Sequence, residues 1–155
     1  MSILFVDNEQ VSMMSARGQF VICETKDIRP IGRIARGVKG ITLNPGDTLV
    51  SARVVPSGTK EFLSVSEKGY IKRTAAKDFT TTGRATKGSK IHALKDSDDK
   101  LIDFMPLVTE QETIVVSSHS QIKINLNEVN LLSKGAQGTK SMKLSNAKVI
   151  GLLVF

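Results

Sequence analysis

One cysteine, no tryptophan and a single tyrosine in 155 residues already exclude several classes of protein. With Cys23 alone, no intrachain disulfide can form, and the cysteine framework of a small secreted domain is missing; a reducing cytoplasm fits best. The opening MSILFVDNEQ lacks a basic segment leading into an apolar run, and no stretch approaches the roughly 18 apolar residues of a membrane helix, so no membrane association is expected. Aromatic residues make up only 5% of the chain, too few for rows of the base-stacking platforms that single-strand binders use. Long runs of helix-forming residues are also scarce, with NLNEVNLL near the C-terminus the one place where a helical turn is expected.

What is present is positive charge and repetition. Lys and Arg total 22 against 15 Asp and Glu, a net +7 that attracts polyanions, in a chain whose 40% hydrophobic content is that of a folded protein. SARGQFVICETKD at 15–27 matches SEKGYIKRTAAKD at 66–78, and a third copy, SHSQIKINLNEV, starts at Ser118. Further along each copy, GRIARGVKGITL from Gly32 matches GRATKGSKIHAL from Gly83 and SKGAQGTKSMKL from Ser133. Gly37, Gly88 and Gly138 fall in register, as do Lys39, Lys90 and Lys140, and then Leu43, Leu94 and Leu144.

In the second copy, EFLSVS alternates apolar and polar residues, EKG is a turn, YIKRT is β-prone, SKIHAL alternates again, and LIDFMPL follows an aspartate-rich turn. Four short strands in about fifty residues are the dimensions of a propeller blade. The expected fold is therefore all-β and propeller-like, with three four-stranded blades at approximately 3–56, 57–108 and 109–155. Leu63, Val65, Ile91, Leu94, Val115 and Ile124 are expected to face neighbouring sheets.

The segments GYIKRT (69–74), GRATKG (83–88), IRPIGRIARGVKGI (28–41) and PGDTLVSARVV (45–55) resemble the C-terminal domain of the DNA gyrase A protein, with its topoisomerase IV counterpart a close second. The resemblance covers nearly the whole chain and is weakest in the third repeat and the first ten residues. It implies a β-pinwheel, in which neighbouring blades exchange strands, and a non-catalytic module that binds and bends duplex DNA around a basic perimeter. The family's full disc commonly has six blades, and the three here are most like its last three. The first-blade gyrase box, Gln-Arg-Arg-Gly-Gly-Lys-Gly, is not in this sequence. The implied partners are double-stranded DNA, the rest of a gyrase A-like protein and a B-type ATPase subunit. ATP and magnesium would act elsewhere in the parent enzyme, in a nucleoid-associated setting. The initial Met1 also admits a free-standing half-disc, and an open arc suggests a homodimer that closes it.

The candidate DNA contacts come from the repeat register. Arg33, Arg36 and Lys39, then Arg84, Lys87 and Lys90, then Lys134 and Lys140 occupy the connection after the second strand of each repeat, and no acidic residue interrupts these windows. Lys and Arg neutralise phosphates and release counterions, while adjacent glycines let backbone N–H groups approach the same oxygens. Lys72, Arg73 and Lys123 lie on the second strand of the second and third repeats, where the first has Val21 and Ile22, and are expected to add to the basic surface.

Other patterns carry less. GRATKGSK has the glycines of a phosphate loop, but the Lys and Ser that should follow are in the wrong order and the context is β. His92 and His119 have no ligand-spaced partners, and Asp96, Asp98 and Asp99 read as a hairpin turn rather than a calcium loop, so neither a metal site nor a catalytic centre is expected. Tyr70 sits in a strand and is not a candidate catalytic tyrosine. A propeller-type protein-interaction scaffold without DNA binding is the competing reading.

Overall fold

The computed structural model describes residues 9–108, 112–140, 144 and 147–154. Eleven strands are present among them: β1 (Gln10–Ser15), β2 (Gln19–Glu24), β3 (Leu49–Val55), β4 (Glu61–Ser66), β5 (Tyr70–Ala75), β6 (Ser89–Lys90), β7 (Leu101–Leu107), β8 (Glu112–Ser117), β9 (Gln121–Asn125), β10 (Thr139–Lys140) and β11 (Val149–Val154). A single 3-10 turn follows the second strand of each repeat, at Thr25–Asp27, Ala76–Asp78 and Leu126–Glu128. The last of these is the helical turn expected in NLNEVNLL.

The strands form three antiparallel sheets with the orders β3-β1-β2-β6, β10-β5-β4-β7 and β11-β8-β9. The short strand expected within SKIHAL belongs to a neighbour's sheet. β6, from the second repeat, pairs with β2 of the first; β10, from the third repeat, pairs with β5 of the second. Strand exchange makes the fold a β-pinwheel of three blades. Two blades reach four strands by receiving one from the following repeat, while the third, which no repeat follows in this chain, holds three among the described residues.

A middle blade covered on both faces needs apolar or satisfied residues at every position, and β4 shows it: Phe62, Leu63, Ser64, Val65 and Ser66 are all buried. Phe62 joins Met14, Phe20, Ile22, Ile91, Leu101 and Phe104 in the seam with the first blade. Leu63, Val65 and Ile71 turn the other way, to Leu107, Val115, Ile124, Leu126, Val129, Val149 and Leu152 in the seam with the third. Of the positions expected to face neighbouring sheets, Leu63, Val65, Ile91, Val115 and Ile124 are buried, and Leu94 packs partly buried at the first seam. The closing strands β3, β7 and β11 pack on one another along one side of the arc. There Arg53 makes a two-pronged ion pair to Asp103, at 3.0 and 2.9 Å, across the first and second repeats. β6 and β10 lie at the opposite edges of their sheets, so the exchanged strands form the rim.

Candidate nucleic-acid interface

The rim is built by an arm that leaves each repeat after its second strand and crosses onto the preceding blade. Close approach of backbones makes that crossing possible, and it accounts for the glycine register. A Cβ on Gly88 would collide with the carbonyl of Phe20 on β2, and one on Gly138 would lie 3.0 Å from the carbonyl of Ile71 on β5 and 2.7 Å from Nε2 of His92. The crossing places Lys90 opposite Gln19 and Lys140 opposite Tyr70, equivalent positions on successive blades. Both lysines are exposed, as are Lys87 and Lys134 in the turns leading to them. Lys140 also sits with Lys95 near the Tyr70 ring, the ammonium nitrogens 6.0 and 5.7 Å from its centroid. Sequence reasoning set Tyr70 aside and missed this grouping, because it is formed only by strand exchange.

Arg33, Arg36 and Lys39 are exposed on the corresponding arm of the first repeat, and Lys123 is exposed on β9. Arg84 is half-buried; its Nε donates to the backbone carbonyl of Asp27 at 3.1 Å, which ties its arm to the first repeat. Arg29 and Lys77, exposed on the same connections, were not singled out from the sequence, although both sit beside the register positions.

Two expected contacts are corrected. Lys72 is 0% exposed, and its ammonium donates to the carbonyls of Ile91 (2.9 Å), Ser133 (2.7 Å) and Ala136 (3.2 Å). Burial lowers its pKa to about 8, which leaves it charged at neutral pH but fully engaged inside the protein. Arg73 is also turned inward: Nε donates to the carbonyl of Val129 at 2.9 Å and the guanidinium pairs with Glu61 at 3.0 Å. Both fasten the third repeat to the second; Lys72 presents nothing to a duplex, and the Arg73 side chain is only 19% exposed.

His92 belongs to the same fastening. Its Nε2 accepts from the Gly138 N–H at 3.1 Å, which leaves Nδ1 as the protonated nitrogen, donating to Ser64 Oγ at 2.9 Å. Burial, with the Lys72 charge beside it, pulls its pKa from 6.5 to about 3, so it is neutral. The Cys23 thiol is buried and held protonated, by burial first and by Asp27 second. The aspartates do form a turn: Asp99 accepts the backbone N–H groups of Lys68 and Lys100, while Asp96 and Asp98 pair with the Lys68 ammonium at 3.2 and 2.6 Å. Negative charge is thus gathered on the turn before β7, where Asp96 and Asp98 line one cleft with Glu67, Tyr70 and Lys140.

Similarity to known proteins agrees with this architecture. The family model described as the DNA gyrase C-terminal domain, beta-propeller, matches residues 9–56, 60–107 and 122–155. The DNA gyrase A protein of Staphylococcus epidermidis is 30% identical over 149 residues, 95% of this chain and 17% of that protein. The gyrase A protein of Klebsiella oxytoca is 30% identical over 131 residues, 84% of this chain and 15% of that protein. Among solved structures, a DNA gyrase A C-terminal domain superposes with a TM-score of 0.89 at 25% identity, covering 97% of this chain and 52% of that one. The C-terminal domain of DNA topoisomerase IV gives 0.85 at 18% identity, covering 94% and 46%, a likeness of fold. The chain therefore spans about a sixth of the full-length proteins it matches and about half of the solved domains. With a family model that accounts for most of its length and a fold that superposes throughout, the chain belongs to the DNA gyrase C-terminal domain family.

Proposed function

We propose that this chain is a DNA-binding and DNA-bending module of a type IIA topoisomerase and has no reaction of its own. The observation that carries the reading is the strand exchange itself, which puts Lys90 and Lys140 at equivalent rim positions of successive blades, flanked by exposed Lys87 and Lys134. A polyanion that follows the rim meets cations at a repeating interval and must curve with them. Bending a short duplex by 40 to 90° costs on the order of 1 to 6 kcal/mol, which several phosphate contacts offset. The contacts are to the backbone, so affinity depends weakly on sequence and strongly on salt.

In this reading the ligand is double-stranded DNA, and the remainder of a gyrase A-like protein, together with a B-type ATPase subunit, supplies strand passage, ATP hydrolysis and magnesium. The work takes place in the cytoplasm, at the nucleoid. Further blades, from the same polypeptide or a second copy, complete the arc.

The test is duplex binding across a salt series. Replacing Lys87, Lys90, Lys134 and Lys140 with Ala should weaken binding to all sequences alike and reduce the salt slope by about one unit for each phosphate left without its lysine. The isolated chain should neither relax supercoiled DNA nor hydrolyse ATP. Unchanged affinity and slope in the fourfold variant would refute the rim as the DNA path.

A further inference from the structure

Lys134 is carried by a tight turn, Ser133–Ala136, in which the N–H of Ala136 donates to the carbonyl of Ser133 at 3.1 Å and Gly135 takes a φ of 73°. Beneath this turn lies the ammonium of Lys72, on β5 of the preceding blade. It donates to the carbonyls at both ends of the turn, Ser133 at 2.7 Å and Ala136 at 3.2 Å, and to Ile91 of its own repeat at 2.9 Å. An ammonium has three N–H donors, and all three are committed here. Backbone bonds hold the same stretch from both sides. Ala93 N–H donates to the Ala136 carbonyl at 3.1 Å and Gly135 N–H to that of Ile91 at 3.3 Å, while Arg73 accepts from Leu132 at 2.9 Å and donates to Asn130 at 3.0 Å. With its main chain fixed from inside, the turn asks nothing of the Lys134 side chain, which is exposed.

The equivalent turn of the second repeat is held differently. The register puts Arg84 at the position of Lys134, and Ala85, with a φ of 63°, at that of Gly135. The residue beneath it, at the position of Lys72, is Val21, which is buried and offers a carbonyl no donor. There the basic residue of the turn is itself the anchor: Arg84 is half-buried and its Nε donates to the carbonyl of Asp27 at 3.1 Å. One arm thus spends its basic side chain on holding the turn, and the other holds the turn from below and leaves its basic side chain in solvent. A cation whose main chain is already fixed loses less freedom when it grips a phosphate.

We infer that Lys72 is a positioning residue for DNA binding: it touches no phosphate itself and sets the Ser133–Ala136 turn so that Lys134 meets the duplex backbone. The inference rests on the proposed function and deepens it, because it assigns a buried residue of one blade to the DNA contact of the next. Its effect is local. Lys90 reaches the rim across the first junction, where no buried cation lies under the arm, so its contact does not depend on Lys72.

A double-mutant cycle on duplex binding across a salt series tests it. Lys72→Met, which keeps the length of the side chain and removes its donors, should lower the salt slope by about one unit, as Lys134→Ala should. The two changes together should lower it by about one unit, whereas Lys72→Met with Lys90→Ala should lower it by about two. A residue that only stabilised the fold would act on Lys90 and Lys134 alike. The parent chain gives a second measurement that needs no variant at position 72. Burial lowers the Lys72 pKa to about 8 against the opposing pull of Asp78, and His92, the other titratable group beside it, is neutral. Raising the pH from 7 to 9 removes the Lys72 proton, and a neutral amine has two N–H groups for three carbonyls, so Ala136, the most distant, is left without its donor. Between about 8 and the ordinary 10.5 the unfolded chain binds the extra proton, so stability rises with pH through this group and weaker DNA binding there is not unfolding. From pH 7 to 9 the parent should lose at least about twofold more affinity than Lys134→Ala does. Additive losses in the first pair, an unchanged slope in Lys72→Met, or equal pH responses would overturn the inference. A slope lowered by Lys134→Ala and not by Lys72→Met refutes only the positioning role; a slope that Lys134→Ala leaves unchanged takes Lys134 off the DNA path and refutes the proposed rim at this turn as well.

Discussion

The junction between the first and second blades and the junction between the second and third share a backbone register and differ in chemistry. In the first, Phe20, Phe62, Phe79 and Phe104 pack edge-on, with centroids 4.9 to 5.2 Å from Phe20, and the arm crosses an apolar floor of Met13, Val21, Cys23 and Ile41. In the second the seam is aliphatic, and the floor is Ser64, Lys72, Thr74 and His92, the same four positions one repeat later. Val21 has become a buried ammonium that holds three carbonyls, and Ile41 a neutral histidine that holds Gly138. Apolar packing is indifferent to direction, whereas a carbonyl-capped ammonium and a histidine of fixed tautomer accept one arrangement. Backbone geometry and the chemistry that locks it are therefore separable in this fold.

Truncation should expose the difference most strongly at the aromatic junction. Phe62→Ala removes a fully buried ring in contact with Phe20, Phe79 and Phe104 and should cost about 3–5 kcal/mol in urea unfolding, the largest loss of the set. Lys72→Ala leaves the carbonyls of Ile91, Ser133 and Ala136 without their donor and should cost about 1–3 kcal/mol, loosening amide exchange protection in the third repeat before the first. A uniform loss of protection in both repeats would contradict a role confined to the second junction.

The two junctions should also respond differently to acid. His92 has a pKa of about 3 folded against 6.5 unfolded, so between those values the unfolded chain binds more protons and stability falls with falling pH. The loss should reach about 2 kcal/mol at pH 5, and His92→Gln, which does not titrate there, should flatten the slope between pH 6.5 and 5. The first junction has Ile41 at this position and contributes nothing to that slope. Lys72, with its pKa lowered to about 8, stays protonated in both states between pH 5 and 6.5 and adds no pH dependence in this window. Arg84→Ala, which removes one hydrogen bond to Asp27 at the first junction, should cost only about 0.5–1.5 kcal/mol.

Much of this was legible in the sequence because a repeat reports the same backbone three times. The alternation in EFLSVS and the match of Gly37, Gly88 and Gly138 located the blades and the arms. What the pattern did not specify was which sheet receives SKIHAL, since pairing partners of a two-residue strand leave no local trace. Lys72 and Arg73 were misplaced for a physical reason: alternation separates buried from exposed only where one face meets water, and the middle blade has both faces covered. The register held only part of the signal. Lys72 stands in register with Val21 and His92 with Ile41, positions that the first repeat fills with buried apolar residues, although Lys123, at the register of Val21 and Lys72, is exposed on β9. Lys90 and Lys140, by contrast, have a lysine at every copy of their position and are exposed.

The central claim is that cations on exchanged strands, and not the buried basic residues beside them, form a curved path for DNA. Energy transfer between the ends of a labelled short duplex, measured with saturating protein, tests it most directly. The parent chain should shorten the end-to-end distance, and the paired variant Lys90→Ala with Lys140→Ala should restore most of the distance of free DNA while unfolding at the parent's urea midpoint. If that variant bends the duplex as the parent does, the rim of exchanged strands is not the DNA path.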